Sequence, residues 1–237
     1  MAAIAASAAV VLVASTSLAD LQPDCLGGHP GGFRQQKDDA ETFLWKGTRA
    51  NVDFLNTIVA PSGKSIFHPM QVQTSGTEAD FIAWGTYKGA GSTPGPGREC
   101  VDHYGGGWKL YIDGTKFGIY YCRSEWGSIT ELATDQLFTL KSGTCEGVTK
   151  WRAVLNGVTM TCTRAAGYKA FALAAGLEVI NATVPLAGDV RYHDAERFVD
   201  STDSWSPWGG GPIAHDCNTT GYDVVVSAND DFTVEKT

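Results

Sequence analysis

The first nineteen residues, MAAIAASAAVVLVASTSLA, contain no charged side chain, and no later stretch of the chain approaches that length without one. This Ala- and Val-rich run ends in Ser17-Leu18-Ala19, a small-x-small pattern. It reads as a secretory leader cleaved before Asp20, and not as a membrane anchor, because so Ala-rich a segment would span a bilayer poorly. Excess basic charge is missing too. Eighteen Lys and Arg stand against 26 Asp and Glu, for a net charge of −8, which argues against a nucleic-acid footprint. Also absent are a Gly-x-Ser-x-Gly elbow, His-Glu-x-x-His, a Walker loop and Gly-x-Gly-x-x-Gly. Those absences set aside elbow-type serine hydrolases, zincins, NTPases and dinucleotide enzymes, while a dispersed triad stays open because triads are defined by geometry. No cofactor and no metal are expected.

What is present reads as an extracellular β protein. Six cysteines, Cys25, Cys100, Cys122, Cys145, Cys162 and Cys217, follow the leader and are expected to form three disulfides, with fifteen pairings open. No pair has Cys-x-x-Cys spacing, so structural bridges outweigh zinc. Asn181-Ala182-Thr183 and Asn218-Thr219-Thr220 are glycosylation sequons. The organisation expected is a leader over 1–19, a loose Gly-rich arm over 20–46, and one domain over 47–237.

Alternating apolar and polar residues recur from Gly47 onward in TRANVDFLNTIV, MQVQTS and DFIAWGTY, the period of half-buried strands. Two hairpins are signalled by Asp113-Gly114 and Asn156-Gly157 between apolar runs. Around the second, Trp151, Ala153 and Leu155 share one face. QLFTLKS, YKAFALAAGLEVINATV and YDVVVSANDDFTVE add strands, whereas DDAETFLW and DAERFVDS are each expected to make a helical turn or two. About ten short strands with Gly-rich turns predict a two-sheet antiparallel sandwich or jelly roll.

Candidate chemistry centres on AAGLEVINAT, where one acid sits in an apolar run. A carboxylate on a core- or cleft-facing strand must be paired, or it becomes a candidate acid–base group. Arg152 and Arg164 are its candidate partners. His193 in RYHDAERF has Asp194 and Glu196 beside it, a pattern that reads as solvated surface unless ligands arrive from elsewhere. The Arg-Ser-Glu of CRSEWGS matches a motif of jelly-roll alginate lyases, but their Gln-Ile-His partner is absent. Arg123 and Glu125 therefore read as a surface ion pair.

The order HPMQVQTSG, DFIAWGTY, WKLYIDG, KWRAVLNG, AAGLEVIN resembles the neprosin-like secreted proteins over about residues 47–185. The resemblance implies a β-sandwich and a peptidase with two glutamates, one polarising the scissile carbonyl and one activating water, often after proline. By that resemblance Glu178 takes the second place. The first is held by Ile82 or a neighbour, with Asp80, Glu78, Gln71 and Gln73 as candidate substitutes. Gln73 is the partner expected, because a Gln-plus-Glu pair serves the glutamic peptidases resembling eqolisin, with the amide aiding the oxyanion. The competing expectation is an extracellular polysaccharide- or polymer-binding module that stacks sugars on Trp84, Trp205 and Trp208, the last two in SWSPWGGGP and expected to be exposed. The expected partner is thus an extracellular peptide or polysaccharide, with no nucleic acid and no membrane in the mature form.

Overall fold

The computed structural model describes residues 30–37, 44–55, 65–74, 81–89, 108–116, 119–129, 135–166, 169–180, 189–209, 214–218 and 221–237. The leader, the Asn181 sequon, residues 38–43 of DDAETFLW, Cys25 and Cys100 lie outside them. The described residues form fifteen strands: β1 (Gly31–Lys37), β2 (Trp45–Phe54), β3 (Ser65–Gln73), β4 (Phe81–Gly89), β5 (Trp108–Lys116), β6 (Ile119–Ile129), β7 (Gln136–Cys145), β8 (Val148–Leu155), β9 (Val158–Ala166), β10 (Ala172–Ile180), β11 (Val190–Val199), β12 (Ser204–Pro207), β13 (Ala214–Asn218), β14 (Tyr222–Ala228) and β15 (Asp231–Lys236). There is no helix among the described residues.

The strands form two antiparallel sheets. The first has the order β13-β1-β10-β3-β4-β5-β6, the second β14-β15-β11-β2-β7-β8-β9 with β12 added to β11. This is the sandwich the alternation predicts. Alternate residues of the inner strands are sealed between the sheets: Ile66, Met70 and Val72 of β3, Ile82 and Trp84 of β4, Leu173, Ala175, Leu177 and Val179 of β10 meet Ala50, Val52, Phe138, Leu140, Trp151, Ala153 and Tyr192. Such burial contributes about 1.5–3 kcal/mol for each large apolar side chain.

Polar contacts fix how the layers sit. The Trp84 indole donates to the Val154 carbonyl across the sandwich at 3.3 Å, and the Tyr192 hydroxyl donates to the Gly176 carbonyl at 2.5 Å. The guanidinium of the buried Arg34 reaches Asp216 at 2.6 Å and the Asn229 carbonyl at 3.3 Å. Cys145 and Cys162 form a disulfide that ties the end of β7 to β9. The side chains of Cys122 and Cys217 lie outside those described.

Several expectations need correction. The supposed arm contains β1, which pairs with β10 on one side and β13 on the other. The Asn156-Gly157 turn is as expected, with φ of 49° and 81°, the left-handed pair that a type I′ hairpin requires. Asp113-Gly114 is not a turn. Both residues are inside β5, opposite Cys122 and Tyr121, and the ladder continues to Lys116 opposite Ile119. DAERFVDS is not helical but belongs to β11 and the turn after it.

His68, on β3, is fully enclosed, with Phe54 edge-on at 5.0 Å and the Thr86 hydroxyl at 3.4 Å. Loss of hydration pushes its imidazole down from 6.5 to about 3. The unfolded chain accepts that proton near 6.5, so between about 6.5 and 3 the unfolded state binds more protons and stability falls as pH is lowered. Urea midpoints should decline across that window with a component of up to roughly 1.4 kcal/mol per pH unit from this residue. In His68→Gln that component should vanish; an unchanged slope would assign the acid sensitivity to other groups.

Candidate functional site

Strand β10 lies inside the first sheet, between β1 and β3. Because Leu173, Ala175, Leu177 and Val179 face the core, positions 174, 176 and 178 belong to the outer face of that sheet. On β3 the same alternation turns Pro69, Gln71 and Gln73 outward, and on β4 Ala83 and Gly85. Position 178 stands opposite Gly31 on one side and Phe67 on the other. The next outward rung, Gly176, stands opposite Phe33.

Two glycines shape this face. A Cβ on Gly176 would come within 2.1 Å of the Gly32 carbonyl oxygen, and one on Gly85 within 2.0 Å of the His68 carbonyl oxygen. The neighbouring backbones therefore rise toward the outer face beside both residues, and no side chain fits. Small residues stand at 174, 176, 83 and 85, all of them buried.

Three glutamines stand on the same face: Gln35, Gln71 and Gln73, all buried. Gln35, Ala174, Gln71, Ala83, Asp113 and Cys122 are successive partners across six strands. The Gln71 Oε1 has no hydrogen-bond partner, a deficit that ordinarily costs about 1–3 kcal/mol. Gln35 was not legible as part of this group, since only the register of β1 brings it there.

The register also measures the expected Gln73–Glu178 pair. Gln73 is opposite Ala172 and Glu178 is opposite Phe67, so the two positions are six residues apart along adjacent strands. At about 3.4 Å per residue this is roughly 20 Å, too far for both to attend one carbonyl. Gln71, opposite Ala174, is about 13 Å from position 178 by the same measure. Glu78 and Asp80 lie outside the described residues. Arg152, one of the expected charge partners of Glu178, is on the second sheet with its guanidinium over Gly143. The Arg164, Arg123 and Glu125 side chains lie outside those described.

The tryptophans do not form an open platform. Trp84 is wholly enclosed in the core. Trp208 is buried as well, 2% exposed, with its ring stacked on Phe232 at 6.2 Å and its amide donating to Ala195 at 2.9 Å. The Pro- and Gly-rich context that suggested exposure instead turns the chain so that Trp208 enters the core. Trp205 is half-buried against Phe198, and Arg49 covers its ring at 4.3 Å. Near it, burial lowers the Lys141 ammonium, with Arg152, Arg49 and Lys46 adding to the effect and Asp203 opposing it. Elsewhere Glu196 pairs with Arg49 and Asp216 with Arg34.

No protein-family model matches the chain, and no curated protein matches its sequence. Solved structures do match. Scytalido-glutamic peptidase with a peptide-based transition-state analog is similar with a TM-score of 0.51 and 7% identity, over 88% of this chain and 98% of that one. SCP-B, a member of the eqolisin family of peptidases in complex with the tripeptide Ala-Ile-His, gives a TM-score of 0.50 and 12% identity over the same shares. At such identity the likeness is one of fold.

The burial of Trp208 makes a direct forecast. Trp208→Ala should cost about 3–5 kcal/mol of stability, seen as a large drop in thermal midpoint. A variant as stable as the parent would return Trp208 to the surface.

Proposed function

We propose that the protein is a secreted peptidase that works on the outer face of the first sheet, with Glu178 as its acid–base group. The observation that carries the reading is the register of β10. In it residue 178 stands opposite Gly31 and Phe67, between the core-facing Leu177 and Val179. The two similar solved structures are peptidases, one bound to a peptide-based analog and the other to a tripeptide, and a peptide is accordingly the substrate class proposed.

In this reading the Glu178 carboxylate takes a proton from the attacking water and returns it to the departing amine, work worth about 10²–10⁴-fold in rate. Gln73 and Gln71 do not polarise the reacting carbonyl. Buried and some 13–20 Å along the strands, they hold the shape of the face. The sugar-stacking alternative has no comparable support, since two of its three tryptophans are core residues.

The test is hydrolysis of proline-containing peptides by the leaderless protein. Glu178→Gln should lower kcat/KM by at least about a hundredfold, while Gln73→Ala should lower kcat by less than about tenfold. Equal losses would put the Gln73 amide at the reacting bond and overturn this division of roles; an inert parent protein would overturn the peptidase reading itself.

A further inference from the structure

A second cluster of reactive groups lies on the other side of the sandwich, on the outer face of the second sheet. His193 of β11 projects there next to β2, diagonal to Asp53, because Tyr192 and Val52 on either side of the pair face the core. Asp135, the residue before β7, arrives from a third segment. The His193 Nε2 lies 3.3 Å from the Asp53 Oδ2 and 3.2 Å from the Asp135 Oδ1, and the three ligand atoms all fall within 4.8 Å of one another.

The surroundings aim these atoms at one point. His193 Nδ1 donates to the Asp194 carboxylate at 2.9 Å, and that carboxylate also accepts the Asn51 amide at 3.1 Å. In the neutral ring this fixes the tautomer with the Nε2 lone pair facing Asp53 and Asp135. The Asp53 Oδ1 is held by the Asp135 backbone N–H at 2.7 Å, which leaves Oδ2 for the cluster. Nε2 is buried and has no hydrogen bond. Three acceptor atoms thus converge with nothing between them to donate.

We propose that His193 Nε2, Asp53 Oδ2 and Asp135 Oδ1 bind a zinc-class divalent cation. Ligand bonds of about 2.0–2.2 Å in a tetrahedral shell place neighbouring ligand atoms about 3.3–3.6 Å apart, close to the two separations between the His193 Nε2 and the carboxylates. The donor set, one imidazole and two carboxylates, suits zinc and its transition-metal neighbours better than calcium, which takes oxygen alone. The Asp194–His193 pair supplies the outer carboxylate that such histidines commonly have. Three protein ligands leave a fourth position for water. The ion would join β2, β11 and the entry to β7, and it departs from the expectation that the chain holds no metal. It is independent of Glu178, which belongs to the other sheet.

Protein stripped with chelator and then titrated with Zn²⁺ should show one site by calorimetry. Its thermal midpoint should rise by about 5–10 °C when zinc is a hundredfold above Kd. His193→Ala and Asp135→Asn should weaken binding at least tenfold; Asp135 is exposed, and Asn keeps its left-handed backbone (φ 60°) accessible. Asp223→Ala, on the exposed part of β14, and Glu178→Gln should bind as the parent does. Zinc affinity unchanged in His193→Ala, or no heat and no shift in the parent, would overturn the site.

Discussion

Leu173, Ala175, Leu177 and Val179 of β10 are sealed against the second sheet, and because a strand alternates, that contact alone assigns positions 174, 176 and 178 to the outer face. A slip of one residue would exchange the two sets and turn position 178 toward the second sheet. The slip is opposed at both layers. The Tyr192 hydroxyl holds the Gly176 carbonyl from the second sheet, and only glycine fits beside the Gly32 carbonyl. The place of residue 178 in the ladder is therefore a by-product of core packing.

Much of this was legible from periodicity. The strands over MQVQTS, DFIAWGTY, QLFTLKS and LAAGLEVI follow their alternation, and Asn156-Gly157 makes the turn its two left-handed residues permit. Asp113-Gly114 has the same composition but loses to its flanks. Thr115 and Lys116 extend the ladder opposite Tyr120 and Ile119, so the hydrogen bonds gained past the dipeptide outweigh its preference for turning. Local turn chemistry competes with strand pairing, and a sequence displays only the first competitor.

The misreading of DAERFVDS has a sharper cause. Between His193 and Glu196 the pairing of β11 with β2 slips by one residue, and Asp194 there adopts a φ of 51°, as expected of a bulge. The extra residue resets the phase, so that Tyr192 and Ala195 both face the core three positions apart. Three-residue apolar spacing is the mark of a helix in a sequence. The bulge also turns Asp194 out beside His193, while Asp53 of β2 and Asp135, just before β7, come from segments far away in the chain. Nothing local in RYHDAERF could announce those two carboxylates, which is why its histidine looked like ordinary surface.

The two faces of the sandwich pose opposite problems in polar satisfaction. On the first sheet the Gln71 Oε1 is buried without a donor; on the second, the Asp53 Oδ2 and the Asp135 Oδ1 converge on the buried His193 Nε2, which has no hydrogen bond. A neutral amide in that state costs little enough for a domain of this size to tolerate. Two carboxylates against a lone pair are costlier, because charge adds repulsion, and for Asp53 lost hydration as well. A cation between them reverses the sign of that term and a neutral donor only reduces it, so the pressure to acquire a partner is greater at Asp53, Asp135 and His193 than anywhere among the outward glutamines.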